Sequence, residues 1–277
     1  MNQTRTRGTL LCLLMACACA SAQNLRTVQH PGSGIEFVWI DKGCFAMGAE
    51  KAGNTDHRGS PPVPRPDEVP RHEVCVDGFW MGRHEVTREQ WQRVMTPAAT
   101  VDAAVARHPA THVSWEEAQA FLQRLNATAA PGERFRLPTE AEWEFACRPG
   151  EPTLPVEGMR TERFEELRAS AWLKIPLHED QTTRPAGELK PNPLGLYDML
   201  GNAWEWTADV YLPDGYTRHT RQNPMVDSGS ERHVLRGGSF KSDVTQARCG
   251  ARAYGIPQDR LYTVGLRIVR QAAAKQD

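Results

Sequence analysis

The stretch Gly195–Asp209 reads G-L-Y-D-M-L-G-N-A-W-E-W-T-A-D and decides how the rest of the chain is interpreted. In it, Asp198 and Glu205 flank Gly201 and Asn202, a pair that bends a backbone readily because Gly accepts positive φ and Asn tolerates it. Two carboxylates, an amide and inward-turned carbonyls on a tight loop are the hard oxygen ligands that Ca²⁺ prefers. The plainer interpretation is a hairpin corner with solvated acids and core tryptophans, and composition alone leaves both open.

Five further stretches accompany this one. In chain order they are C-F-A-M-G at 44–48, V-D-G-F-W at 76–80 with E-V-T at 85–87, V-S-W at 113–115, R-L-P-T-E-A-E-W-E at 136–144, and R-G-G-S-F at 236–240 leading to G-L-R at 265–267. Together with G-N-A-W-E-W they resemble the sulfatase-modifying-factor, or formylglycine-generating-enzyme, family. Six motifs in the family's order are a far more specific signal than one. The resemblance implies an α+β, C-type-lectin-like fold with long loops and little regular secondary structure.

The composition is that of an ordinary globular protein. The chain has 277 residues, of which 40% are hydrophobic and 24% charged, with a formal net charge of -1. Nucleic acids and anionic membrane surfaces attract a basic excess, which is absent here. We therefore expect neither as a partner.

The N-terminus indicates export. Arg5 and Arg7 precede an apolar run over Leu10–Ala20, and A-S-A at 20–22 is a cleavage signal. We expect residues 1–22 to be a signal peptide, too short in its apolar run to span a bilayer, and the mature protein to be periplasmic or secreted by a bacterium. The alternative is a lipoprotein, because L-M-A-C resembles a lipobox that would place a lipid anchor on Cys17.

Domain organisation follows from the motifs and the turn residues. We expect a lead at 23–34, a single domain at 35–270 with a Pro-rich surface-loop insertion at 50–70, and a frayed tail at 271–277. Capping boxes that begin at Thr87, Ser114 and Thr139 predict three helices, which end near residues 95, 126 and 147. A further helix is possible at 161–170. Strands are predicted at 35–40, 72–76, 79–81, 233–235, 248–252 and 266–270.

Four of the seven cysteines follow the predicted signal peptide: Cys44, Cys75, Cys147 and Cys249. In an oxidising compartment four cysteines form two disulfides, by any of three connectivities. The family resemblance implies a bridge between Cys147 and Cys249, which leaves Cys44 to pair with Cys75.

The resemblance also implies a calcium site with four ligands, namely the side chains of Asp198 and Glu205 and the carbonyls of Gly201 and Ala203. Asn202 is expected to orient the turn. A second family calcium site would need acids near residues 170–182, where Glu179 and Asp180 are the candidates.

The catalytic chemistry of the family is incomplete here. Formylglycine-generating enzymes oxidise a substrate cysteine with O₂, using a cysteine pair after R-G-G-S that binds Cu(I), a soft ion that suits thiolates. In this chain Ser242 stands where the first of these cysteines is expected, and the second has no counterpart. We therefore expect no copper and no formylglycine synthesis by the known route.

The ligand site that the resemblance implies has six residues: Trp204, Ser239 and Ser242 as pocket or catalytic residues, and Arg236, Asp243 and Arg248 as nearby binding charges. The favoured function is O₂-dependent oxidation of a peptide-like, siderophore-type substrate without a bound redox cofactor, as in the pyoverdine-maturation members of the family. The alternative is a non-catalytic binding or regulatory module with a partner protein, for example in type VI secretion signalling. A true formylglycine-generating activity is the third hypothesis.

Overall fold

The computed structural model describes residues 25–51, 64–149, 167–174 and 182–271. The predicted signal peptide, Cys17, most of the Pro-rich insertion, the greater part of the possible helix at 161–170, and the acids Glu179 and Asp180 lie outside the described residues.

Three α-helices begin where the sequence predicts them: α1 at Arg88–Met95, α2 at Trp115–Ala127 and α3 at Glu140–Cys147. In each, the side chain of the residue before the helix accepts a bond from a backbone N–H three residues on, and the side chain at that third position accepts one in return. Such reciprocal caps satisfy two backbone donors that the helix leaves unpaired, and the leading residue alone is worth about 1 kcal/mol. The predicted helix starts are therefore confirmed.

The strands are short, and in the described residues they are β1 Thr27–Gln29, β2 Glu36–Ile40, β3 Gly43–Met47, β4 His72–Val76, β5 Phe79–Gly82, β6 Phe135–Arg136, β7 Ala171–Trp172, β8 Leu200–Gly201, β9 Trp204–Val210, β10 His233–Arg236, β11 Ala253–Gly255, β12 Val264–Leu266 and β13 Val269–Gln271. One sheet has the order β1-β2-β5-β13-β6, and a second has the order β11-β10-β9-β12. In the second sheet β12 runs parallel to β9, while β10 is antiparallel to it. β1 lies in the predicted lead and pairs with β2, so the first sheet begins before residue 35.

The strand predicted at 248–252 is wrong. The edge strand that pairs with β10 is β11, which begins at Ala253, one residue after the predicted strand ends. Two arginines explain the displacement, because Arg248 forms an ion pair with buried Glu68 and Arg252 with buried Glu140. Residues 248–252 thus place their charged side chains inward, in a turn rather than a ladder.

The strand predicted at 266–270 is divided between the two sheets. β12 ends at Leu266 beside β9, and β13 begins at Val269 between β5 and β6. Arg267 lies at the break and is fully buried. Its side chain donates to the carbonyl of Gly82 on β5 of the first sheet and to Glu205 on β9 of the second, so it joins the two sheets.

Two disulfides are present, Cys44–Cys75 and Cys147–Cys249, separated by 31 and 102 residues. This is the expected pairing. Closing loops of these lengths restricts the unfolded chain, and in the chain-entropy treatment each bridge contributes roughly 3 to 5 kcal/mol. The second bridge joins the end of α3 to the turn at 248–252, so it holds two of the family motifs together.

The described residues contain no helix that is both long and apolar enough to cross a membrane. Between α3 and β9 the described segments carry two-residue strands, turns and two helical residues at 167–168, within the possible helix at 161–170. Regular structure is therefore sparse around the site, which depends on the two sheets and on hydrogen bonds between loops.

Candidate functional site

Two glycine turns meet at the candidate site. The N–H of Gly201 donates to the carbonyl of Gly237 at 2.8 Å, and the N–H of Phe240 donates to the carbonyl of Asn202 at 3.0 Å. Gly201 has φ +79°, and a Cβ there would lie 2.1 Å from the carbonyl oxygen of Trp172. No residue with a side chain fits that position. The G-N-A-W-E-W and R-G-G-S-F motifs are thus two halves of one structure.

The side chain of Asn202 fixes the turn from the other side. Its Oδ1 accepts the N–H of Arg184 at 2.9 Å, and its Nδ2 donates to the carbonyl of the same residue at 3.3 Å. Asn202 is fully buried and has φ +56°. The turn is therefore attached to residues 182–186 as well as to the R-G-G-S-F loop.

Behind the turn lies a group of buried charges, which we call the acidic cluster: Glu85, Asp198, Glu205 and Arg267. Glu205 accepts bonds from Arg267 at 2.8 to 3.0 Å and from the indole N–H of Trp143 at 2.7 Å. Asp198 accepts the N–H of Gly187 at 2.7 Å through Oδ2. Its Oδ1 and both carboxylate oxygens of Glu85 are buried with no hydrogen-bond partner among the described residues.

Burial and mutual repulsion both act on these acids. Burial, in spite of the bond from Gly187, raises the pKa of Asp198 to about 6. Burial, with the nearby charges of Asp198 and Glu205, raises the pKa of Glu85 well above its ordinary value. One guanidinium, that of Arg267, faces three carboxylates, so the cluster lacks positive charge.

The residues present fit a calcium ion. Ca²⁺ takes carboxylate and carbonyl oxygens, and the unpartnered Oδ1 of Asp198 lies close along the chain to the predicted carbonyl ligands of Gly201 and Ala203. Glu205 differs from the expectation in one respect, because both of its oxygens already accept hydrogen bonds. A cation bound here would neutralise charge that the protein itself leaves uncompensated.

A second set of possible ligand atoms lies elsewhere in the core. One atom each from Glu140, Asp209 and His219 lies within 4.8 Å of the others. The carboxylate of Glu140 is already bound through both oxygens by Arg252 at 2.6 and 3.0 Å. This group therefore has its own internal cation, in contrast to the acidic cluster.

The two pocket serines are buried. Ser239 is 1% exposed and Ser242 is 2% exposed. The Oγ of Ser242 accepts the N–H of Ser239 at 3.0 Å, and the Oγ of Ser239 accepts the N–H of Lys241 at 3.2 Å. Each hydroxyl thus shapes the loop as an acceptor and keeps one O–H to donate.

The predicted binding charges are mostly used inside the fold. Arg236 is fully buried, where it binds Glu144 and donates to the carbonyl of Ala251 at 2.7 Å. Arg248 binds both oxygens of Glu68 at 2.7 and 2.8 Å. An acid far away in sequence thus takes up each guanidinium, and a ligand-facing role for these two arginines stays a prediction. Asp243 is exposed and caps a turn through Thr245.

The exposed side of the site is aromatic. Trp204 is half-buried, and its backbone N–H donates to the carbonyl of Thr263. The residue before Thr263 is Tyr262, which is 52% exposed and meets the ring of Phe240 edge-on, with 6.0 Å between the ring centroids. Tyr262 escaped the sequence reasoning because it lies in none of the six motifs. Phe240 is within one and could have been identified from its place after Ser239.

Trp172 is a second residue that sequence reasoning missed. Its carbonyl accepts the N–H of Asn202, and the guanidinium of Arg184 lies 5.6 Å from its ring. Its indole Nε1 is buried with no acceptor among the described residues. The isolated A-W dipeptide at 171–172 carries no local signal that would have revealed this position.

Comparisons of sequence agree on one family. Residues 23–272 match the profile of the sulfatase-modifying factor enzyme 1-like domain. The formylglycine-generating enzyme of Mus musculus is 27% identical over 309 residues, covering 90% of this chain and 78% of the mouse protein. The serine/threonine-protein kinase pkn1 of Chlamydia pneumoniae is 30% identical over 85% of this chain, which spans 38% of the kinase.

Comparisons of structure agree on the fold. PvdO of Pseudomonas aeruginosa matches with a TM-score of 0.72 at 24% identity, covering 89% of this chain and 98% of PvdO. Variable protein 1 of Treponema denticola matches with a TM-score of 0.65 at 24% identity, covering 90% and 99% of the two chains. At these identities the likeness establishes the fold alone. The predicted α+β, C-type-lectin-like fold is confirmed, and the chain belongs to the sulfatase-modifying-factor, or formylglycine-generating-enzyme, family.

Proposed function

We propose that this protein binds a peptide-like ligand beside Trp204 and oxidises it with O₂ without a copper–thiolate centre. The observation that carries this proposal is the use of the cysteines. All four that follow the predicted signal peptide are in disulfides, and the position of the family's first copper ligand holds Ser242. A hydroxyl does not replace a thiolate toward Cu(I).

The residues at the site offer binding and orientation. Trp204 and Tyr262 provide apolar surface, with the buried ring of Phe240 packed against Tyr262, and the buried Nε1 of Trp172 is a donor that a ligand oxygen would satisfy. Gly237 and Gly238 have φ +98° and +82°, which no bulky residue adopts comfortably. Ligand sites are commonly built in this way, from apolar walls with a few convergent polar groups.

In the proposed reaction the substrate itself supplies the electrons and protons that reduce O₂. An electron-rich catechol on a peptide of the siderophore type loses two electrons and two protons to O₂, which gives a quinone and hydrogen peroxide. The protein contributes position and electrostatic surroundings, as enzymes do when the reagent is already reactive.

Oxygen uptake and peroxide formation test the enzyme with a catechol-bearing, dihydropyoverdine-like peptide. We expect uptake above the buffer rate by the wild type, a large loss in Trp204→Ala, and no loss in Trp39→Ala, whose half-buried indole lies on the other sheet. The Ser239→Ala variant tests whether oxygen uptake depends on the hydroxyl that accepts the N–H of Lys241 in the R-G-G-S-F loop. Uptake no faster than in buffer, or an equal loss in both tryptophan variants, would overturn the enzyme proposal.

A second candidate is a binding or regulatory module. It is favoured by the burial of both pocket serines and by the likeness to pkn1, a kinase in which this chain matches 38% of the length. Tight binding of a peptide or partner protein, lost in Trp204→Ala and without oxygen uptake, would establish it. Formylglycine synthesis is the third candidate, and conversion of a cysteine in a sulfatase-derived peptide tests it directly.

Calcium and export complete the proposal. The shortage of positive charge in the acidic cluster supports a structural Ca²⁺ at Asp198 and the Gly201–Ala203 turn. Two disulfides favour an oxidising compartment, and thus a periplasmic or secreted location. Sequencing of the mature N-terminus tests export, since cleavage by the ordinary signal peptidase gives Gln23 and lipoprotein processing gives a lipidated Cys17.

A further inference from the structure

A cavity outside the candidate site lies where the end of β2 meets the end of α3 and the loop before Gly195. It has a volume of about 470 Å³, and its apolar walls include Trp39, Phe145 and Leu194. None of its lining residues belongs to the candidate site or to the acidic cluster. Small-molecule sites commonly have volumes of roughly 300 to 1,000 Å³. The cavity is therefore large enough for a small ligand.

The two aromatic walls of this cavity are held in place by neighbouring side chains. The indole N–H of Trp39 donates to Asp41 at 2.6 Å, and its ring meets that of Trp80 edge-on, with 5.3 Å between the centroids. The ring of Phe145 packs against that of Phe45, with 5.4 Å between the centroids. Aromatic pairs at such distances attract each other beyond the area that they bury. The walls are therefore fixed before any ligand arrives.

A glycine beside each ring makes room for the wall. A Cβ at Gly43 would lie 2.8 Å from the ring of Phe145, and a Cβ at Gly78 would lie 2.5 Å from the ring of Trp39. Protein interiors are packed closely enough for one added methyl group to be felt, so a side chain at either position would displace a ring. The positions of both walls thus depend on these two glycines.

The charges at the cavity are not balanced. Asp41 accepts a bond from Arg26 at 2.7 Å in addition to the one from Trp39, and the Arg26 guanidinium lies 4.8 Å from the centroid of the Trp39 ring. Lys42 also lines the cavity, and among the described residues its exposed ammonium has no hydrogen-bond or ion-pair partner. Arg26 therefore neutralises Asp41, and the positive charge of Lys42 is left to attract an anion.

We propose that this cavity binds a small aromatic carboxylate, with its ring against Trp39 and Phe145 and its carboxylate on Lys42. Apolar walls with a few placed polar groups are the usual composition of a small-molecule site. A hydrogen bond between an ammonium and a carboxylate is stronger than one between neutral groups. The inference is independent of the proposed oxidation and of the proposed calcium ion, because the cavity shares no residue with either site.

Binding of 2-naphthoate, measured by calorimetry on the purified protein with both disulfides intact, tests this inference. The control ligand is 2-naphthalenemethanol, which has the same rings without the charge, and we expect it to bind more weakly. Lys42→Gln should weaken the binding of 2-naphthoate by roughly two- to fivefold, the effect of an exposed ion pair, and leave the affinity for the alcohol unchanged. Gly43→Ala should weaken both ligands alike, because its methyl group displaces the ring of Phe145.

Two control variants establish where the probe binds. Trp204→Ala removes an aromatic ring of the candidate site, and Lys174→Gln removes an exposed lysine whose backbone N–H donates to the carbonyl of Ser242. Neither should change the affinity for 2-naphthoate. Affinity that is lost in Trp204→Ala but kept in Lys42→Gln and Gly43→Ala would overturn the inference, because the probe would then lie in the candidate site.

The wild type alone can also contradict the proposal. No binding of 2-naphthoate would overturn the cavity as a ligand site, and equal affinity for the acid and the alcohol would overturn the role of Lys42. If Gly43→Ala does not fold, Phe145→Leu, which keeps an apolar side chain without the ring, must weaken both ligands for the inference to stand.

Discussion

Two groups of buried charges lie on either side of Trp143, and their charges are balanced differently. On one side is the acidic cluster, to which the indole N–H of Trp143 donates through Glu205. On the other side is the arginine network, which we define as Glu140, Glu144, Asp209, Arg148, Arg236 and Arg252. In it the guanidinium of Arg236 lies 5.3 Å from the centroid of the Trp143 ring.

The arginine network has three acids and three arginines, and its acids are all hydrogen-bonded. Burial alone would raise the pKa of Glu144, but Arg236 and Arg148 outweigh it and lower the pKa below its ordinary value. Burial prevails at Asp198 in the acidic cluster, where the pKa rises to about 6, and also at Asp209 in the network, where it rises to about 7. The two groups therefore differ in hydrogen-bond partners rather than in burial, since both oxygens of Glu85 and one oxygen of Asp198 accept no bond among the described residues.

Removing Arg236 should have the largest effect. Arg236→Met leaves Arg148 as the one arginine bound to Glu144 among the described residues and takes a cation from the network. Breaking a buried ion pair by deleting one partner costs about 3 to 5 kcal/mol. Urea unfolding at neutral pH measures this loss. A loss below about 1 kcal/mol, the value of an exposed pair, would show that the network is not a unit.

Chelating calcium should have the next largest effect, on the other side of Trp143. A ligand that binds only the folded state stabilises it by about 2.7 kcal/mol when present at 100 times its dissociation constant. We expect the wild type to lose about that much free energy of unfolding in EGTA. The loss in Arg236→Met should differ from that in the wild type, because Arg236 is paired with Glu205 across β9 and β10 and residues that share a partner are coupled. An unchanged unfolding curve in EGTA, with no calcium by elemental analysis, would remove the metal from the cluster.

The pH dependence of Asp209 is the smallest expected effect. Burial, with the neighbouring charge of Glu140, raises the pKa of Asp209 to about 7 from an ordinary value of 3.8. Between these values the folded protein holds a proton that the unfolded chain has lost, so Asp209 makes stability fall as pH rises from about 4 to 7. Each unit by which the pKa of Asp209 in the folded protein exceeds its pKa in the unfolded chain contributes about 1.4 kcal/mol.

Asp209→Asn should therefore flatten this fall relative to the wild type. The difference between the two slopes isolates Asp209 from acids with lowered pKa, such as Glu144, whose contribution has the opposite sign. Urea unfolding of both proteins at pH 4.5, 5.5 and 6.5 provides the slopes. Parallel slopes would mean that the backbone N–H groups of Glu140 and Val226, which donate to Asp209, keep it ionised.

Local signals predicted the framework well. Capping boxes specify their helices within four residues, so the starts at Arg88, Trp115 and Glu140 needed no tertiary information. The strand predicted at 248–252 failed for the opposite reason. The local sequence there predicted a strand. The partners of its two arginines, Glu68 and Glu140, lie more than 100 residues away in the chain. Long-range charge pairing overrode the local pattern.

The candidate site shows the same division. Its two glycine turns could be identified from sequence because only glycine, or asparagine at some cost, adopts the left-handed backbone they require. The roles of Arg236 and Arg248 could not, because an arginine in a motif has the same sequence whether it faces a ligand or a buried acid. Glu85 was overlooked for a related reason, since its significance lies in what its oxygens do not contact.

The sequence by itself determined the family, the α+β fold class, the helix starts, the four cysteines available for disulfides and the substitution of Ser242 for a copper ligand. All of these depend on residue identity and short spacing. The tertiary structure decided which buried charges have partners, because it brings Glu85, Asp198, Glu205 and Arg267 together from three distant segments. Electrostatic balance is a property of that packing, and no local stretch of the chain contains it.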